Sequence, residues 1–198
     1  MIRVIPILLA AALPVIPMAP AFADDSAPAF PAESGMDRAS ICYNYGCNAQ
    51  AEVEFTPSQL AALDRLFAAV HNAAEERQVL ARAIGRLYFF AGASTPIWHD
   101  HGMNYRDNGV DGMMDCIDHS RNTSEFLLLL QRRGLLRYHE VHTRLRRTSY
   151  LIAYHWTARV AEVATGAEYA VDSWYFEPGE PAAVMPIADW LKRRDPRG

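Results

Sequence analysis

Residues 112–134 read GMMDCIDHSRNTSEFLLLLQRRG, and the parsing of this stretch decides the fold. A loop rich in Asp, Asn and Gly (Asp107, Asn108, Gly109, Asp111, Gly112) leads into it. The spacing predicts a helix that begins near Cys116 and ends at Arg133, with Gly134 at the left-handed position that stops helices. Its first half is small and polar (Ser120, Asn122, Thr123, Ser124), and its second half is apolar (Phe126, then Leu127 to Leu130). Small residues let a sheet approach closely beside Cys116. A thiol in the first turn meets unpaired N–H groups and the positive end of the helix dipole, and both are expected to favour the thiolate.

Downstream of this helix the pattern turns to β. Strands are expected over 136–142, 148–163 and 168–176, with a turn at 164–167 and Pro178, Gly179 and Pro181 ending the last. A short helix over 187–194 is expected to carry Trp190 inward. His155 lies in Tyr154-His155-Trp156-Thr157, and Asp172 follows it by 17 residues in Ala170-Val171-Asp172-Ser173-Trp174. A carboxylate inside a β run is costly unless paired, and an imidazole on the adjacent strand would satisfy it and be oriented by it. A lone strand histidine is more often a packed or edge residue, so Asp172 is what lifts His155 above the other six.

Upstream the pattern is helical. Thr56-Pro57-Ser58-Gln59 is a helix start, with a Thr cap, Pro in the first position and Gln three residues after the cap. Leu60, Leu63, Phe67 and Val70 form one apolar stripe, and Val79, Leu80, Ala83, Ile84, Leu87 and Tyr88 form another on a helix over 75–91. Helices first, then an antiparallel sheet, define an α+β fold. The expected organisation is a signal peptide (1–23), a flexible mature N-terminus (24–40) and a single domain (41–198). That domain divides into a helical part (41–92) and a core (93–198) that opens with a long connection.

The first residues support export. Arg3, an apolar run broken by Pro6, Pro14 and Pro17, and Ala21-Phe22-Ala23 before Asp24 read as a cleaved secretory signal, giving a periplasmic or secreted protein with no membrane span after cleavage. The net charge is −4 and the basic residues are scattered, which argues against nucleic-acid binding. Arg144, Arg146 and Arg147 read as a solvated face. Cys42 and Cys47, with four residues between them that include a turn glycine, are natural disulfide partners. That leaves Cys116 as an odd thiol in an oxidising compartment, either buried and inert or catalytic.

A helix-start Cys, a strand His before Trp, and an Asp in Tyr169-Ala170-Val171-Asp172-Ser173-Trp174 together resemble the transglutaminase-like fold of the papain-like superfamily. Asp115-Cys116-Ile117-Asp118 is similar to the Asp-Cys-Glu-Asp signature of bacterial transglutaminase-like cysteine proteinases, with Ile117 in place of the acidic residue and Ser173 where many members have Pro. The resemblance covers residues 105–177. It implies a Cys116–His155–Asp172 triad, acyl transfer on a protein or peptide substrate, and an oxyanion held by the Cys116 N–H with Asn104 or Tyr105 as a second donor. It also raises calcium near Asp107, Asp111 and Asp115, although no cofactor is required. The same loop fits an EF-hand at Asp107, Asp111, Gly112 and Asp115 but offers Gly109 at the third position and Asp118 at the twelfth. His99 and His101 could offer two imidazoles to zinc, without a third ligand at a telling spacing. The competing functions are a non-catalytic envelope binding protein on the same scaffold and a cell-wall endopeptidase. The oligomeric state is left open.

Overall fold

In the computed structural model, which describes residues 37–149 and 153–197, the capping signals place the helices. Helix α1 (Pro57–Phe67) starts where Gln59 Oε1 accepts the Thr56 N–H at 2.8 Å and Thr56 Oγ1 accepts the Gln59 N–H at 3.3 Å. Helix α2 (Ala73–Gly92) is capped by Asn72, whose side chain accepts the Glu75 N–H. Both expected stripes are buried and face a common core with Ile41, Phe55 and Phe126. Each Val, Leu, Ile or Phe among them contributes about 1.5–3 kcal/mol by leaving water.

Helix α3 (Cys116–Arg132) has Asp115 as its cap. It stops as expected: Gly134 has φ 69°, its N–H reaches the Gln131 carbonyl, and the Leu135 N–H reaches the Leu130 carbonyl. Ser120, Asn122, Thr123 and Ser124 are all buried, as are Phe126, Leu127, Leu129 and Leu130, so both halves of α3 lie against other elements.

The segment before α1 is not helical. Strands β1 (Arg38–Tyr43) and β2 (Ala49–Glu54) form an antiparallel hairpin that packs on α3. This corrects the reading of 41–92 as wholly helical, and it moves the end of the expected leader back to before Arg38. The expected signal segment and the rest of that leader lie outside the described residues.

The second sheet is an antiparallel meander, β3 (His139–Ser149), β4 (Ala153–Glu162), β5 (Glu168–Asp172) and β6 (Ala183–Pro186) in that order. Thr148 and Ser149 therefore belong to the strand before the one they were expected to open. The long connection before α3 contains a short 3-10 turn over Pro96–His99. Helix α4 (Ile187–Leu191) follows β6 and buries Trp190 completely. The fold is α+β, and no described helix is long and apolar enough to cross a membrane.

Candidate functional site

Register brings the pieces together. Ala158 stands opposite Val171 across β4 and β5, which brings Asp172 level with Thr157, two residues from His155 on the same face. Asp172 Oδ2 lies 2.7 Å from His155 Nε2 and also accepts the Trp190 indole N–H at 2.8 Å. Its other oxygen accepts the Trp174 backbone N–H at 3.2 Å. The carboxylate is 2 % exposed, and these three donors are what make its burial tolerable. Because an ionised carboxylate only accepts, the neutral imidazole carries its proton on Nε2 and keeps a lone pair on Nδ1. Trp174, Tyr175 and Trp190 surround the ring with centroids 4.9, 5.8 and 5.8 Å away.

Cys116 is half-buried and its thiol is free; it lines, together with His155, a cavity of about 570 Å³. Tyr105, Trp174, Tyr175 and Arg147 form part of the same wall. Two backbone N–H groups, those of Trp156 and of Cys116 itself, favour a charged sulfur. Burial outweighs them and, with the carboxylates of Asp115 and Asp172, pushes the thiol up to about 11. The expectation of a ready-made thiolate at the helix start is thus corrected: the resting group is a neutral thiol. Reaction at neutral pH needs a base to remove its proton, and His155 is the imidazole that shares its cavity.

The loop before Cys116 is held by a buried carboxylate, Asp100, which lies between His99 and His101 in the sequence and carried no signal of this role. Asp100 accepts the Met114 N–H at 2.9 Å, the Asn104 side-chain N–H at 2.9 Å and His119 Nε2 at 2.8 Å. His119 Nδ1 in turn meets Ser173 Oγ at 2.9 Å, and Ser173 also contacts the hydroxyls of Thr123 and Tyr88. Ser173 adjoins Asp172, so this cluster ties the approach to Cys116 to the strand end that carries the carboxylate. Gly112, with φ 89°, lets the loop turn where a Cβ would run into the Pro96 carbonyl oxygen.

The disulfide loop lies against the same helix. Cys42 and Cys47 are at disulfide distance, with Cα atoms 4.7 Å apart. Asn122 clamps Cys42 through both its amide atoms (2.7 and 2.8 Å), and Asp118 accepts the Cys47 N–H. Asn44, Tyr45, Gly46 and Cys47 all have φ between 60° and 69°, a conformation costly for three of them. Tyr45 lines the cavity, and its hydroxyl donates to Asp107.

The remaining candidates separate. Asp107 is bonded to Tyr45 and Asn104, Asp111 to Asn44, and Asp115 to the Ile117 and Asp118 N–H groups. His99 stacks on Trp98, while His101 pairs with Glu177. Among the described residues no group of three or more His, Cys, Asp or Glu is arranged to hold a metal ion. Asn104 does not suit an oxyanion: its amide nitrogen faces Asp100 and Asp107, which leaves only a carbonyl oxygen. Tyr105 lines the cavity with Cys116; partial burial and then the Cys116 sulfur push its phenol up, while Arg147 draws it down. No known protein family, curated protein or solved structure matches this chain.

Proposed function

We propose that the chain is an exported thiol-dependent acyl-transfer enzyme of the transglutaminase-like, papain-like kind, working as a hydrolase on a protein or peptide amide. The observation that carries this reading is the part-buried His155–Asp172 hydrogen bond of 2.7 Å beside the cavity that Cys116 and His155 line. In this reading Nδ1 of His155 takes the thiol proton as the sulfur attacks the carbonyl carbon. Asp172 holds the ring in the productive tautomer and stabilises the imidazolium. The Cys116 N–H, in the first turn and not needed by the helix, faces the developing oxyanion with the Tyr105 hydroxyl beside it. The imidazolium returns the proton to the leaving amine, and water, activated by the same ring, cleaves the thioester. The thiol raised by burial suits general-base activation better than a standing ion pair.

Incubation with p-nitrophenyl acetate tests this directly. An acetyl adduct on Cys116, found by peptide mapping and absent from Cys116→Ser and His155→Ala proteins, is the expected result. No adduct on the unmodified protein, with no cleavage of protein or peptidoglycan substrates, would leave the binding-protein reading in its place.

A further inference from the structure

Arg147 is the cross-strand partner of His155 in the β3–β4 register, so the two side chains leave the same face of the sheet. It was expected on a solvated face. Instead it lines the cavity, with its guanidinium carbon 4.3 Å from the centroid of the Trp190 ring. It donates to the Trp190 carbonyl oxygen and, at 2.8 Å, to the Tyr175 hydroxyl. A guanidinium has five N–H donors, so three remain. One of these, on Nε, is buried without a hydrogen-bond partner. Among the described residues no carboxylate pairs with Arg147. The two carboxylates on the cavity wall are otherwise engaged: Asp115 caps α3, and Asp195 is bonded twice by the Arg197 guanidinium.

A partly desolvated cation without a counter-ion is an expensive way to tether one carbonyl and one phenol, which any neutral amide would do. Planar guanidinium donors match the two oxygens of a carboxylate. We propose that Arg147 is an anion-reading subsite beside Cys116, and that the substrate is a peptide bearing a carboxylate next to the bond attacked. The substrate half of this inference rests on the acyl-transfer reading, whereas the anion subsite does not. The carboxylate has two possible sources, an acidic side chain or a free chain end.

The test compares alkylation of Cys116 by iodoacetate and by its neutral isostere iodoacetamide, with rates read by mass mapping at pH 8. An unassisted thiolate repels the anionic reagent. In the unmodified protein the iodoacetate rate should equal or exceed the iodoacetamide rate, and the ratio should fall about tenfold in Arg147→Gln. Arg147→Lys, which keeps the charge, should retain most of the ratio and also guards against a folding defect. A ratio unchanged in Arg147→Gln, or lost equally in both variants, overturns the subsite. Protection of Cys116 from iodoacetamide then separates the sources. Acetyl-trialanine with a free carboxylate reports a chain end; amide-capped Ala-Ala-Glu-Ala-Ala, set against its Gln counterpart, reports an acidic side chain. Absence of protection by either acid, or equal protection by Glu and Gln peptides alone, overturns the substrate class. Alkylation needs no turnover, so a protein that hydrolyses nothing yet keeps the charge-dependent ratio loses the acyl-transfer reading and keeps the subsite.

Discussion

Asp118 Oδ1 accepts the Cys47 backbone N–H at 2.6 Å, joining the first turn of the Cys116 helix to the disulfide loop. Its other oxygen accepts the Asp115 N–H at 3.1 Å. Burial first, and then the neighbouring Asp115 carboxylate, push Asp118 up to about 7.

This makes stability depend on pH in a direction unusual for a carboxylate. The folded state holds the Asp118 proton more tightly than the unfolded chain, whose carboxyl titrates near 4. The contribution is therefore complete below about 4 and is lost as pH rises to about 7, by roughly 2–4 kcal/mol at most. Asp115→Asn keeps the helix cap and removes the adjacent charge, so the decline should be shallower. Thermal melting of both proteins from pH 4 to 8 checks this; equal slopes would remove Asp115 from the account.

The triad reading predicts unequal losses. Cys116→Ser and His155→Ala should abolish turnover. Asp172→Asn presents an amide to two N–H donors, those of His155 and Trp190, and favours the wrong tautomer; a fall in kcat/KM of about 10²–10⁴ is expected. Near-normal kcat/KM in Asp172→Asn would show that His155 needs no carboxylate.

Alkylation against pH separates an assisted thiol from an isolated one. With the thiol pushed up to about 11, the His155→Ala protein should react with iodoacetamide about tenfold faster per pH unit from pH 7 to 10. The unmodified protein should show a flatter profile and a faster rate at pH 7, because the imidazole supplies the base. Superimposable profiles would rule out proton transfer between the two.

Reduction of the Cys42–Cys47 bond should be felt at the cavity. Closing so short a loop stabilises by about 2 kcal/mol, and the left-handed run at residues 44–47 depends on that closure. A Cys42→Ala/Cys47→Ala protein should melt lower and lose activity beyond the change in folded fraction, because Tyr45 forms part of the cavity wall. Unchanged kinetics at a temperature where it is fully folded would make the loop a staple only.

The helices were legible because their signals are local. Thr56, Pro57 and Gln59 announce α1, Gly134 ends α3, and the apolar stripes of α1 and α2 are all buried. The β1–β2 hairpin was not read, because its period-2 signal is thin: Ala39, Ile41 and Val53 face inward among exposed charges, and Cys42 and Cys47 drew attention to the turn alone. β3 ends at Ser149 and β4 begins at Ala153, but the sequence there offers no Gly, Pro, Asn or Asp to mark a strand end. The pairing of His155 with Asp172 was inferable from a carboxylate in a β run, whereas the Trp190 indole on Asp172 was not. That contact joins segments 18 residues apart through tertiary packing. Arg147 was misjudged for a related reason: a charge run says nothing about which of its members the sheet turns inward.

The order of these groups along the chain has a consequence for biogenesis. Trp190, whose indole secures Asp172, follows Cys116, His155 and Asp172 in sequence. The residue that secures the carboxylate thus comes last in the chain, after the carboxylate itself. Until α4 docks, the buried carboxylate lacks one of its three donors.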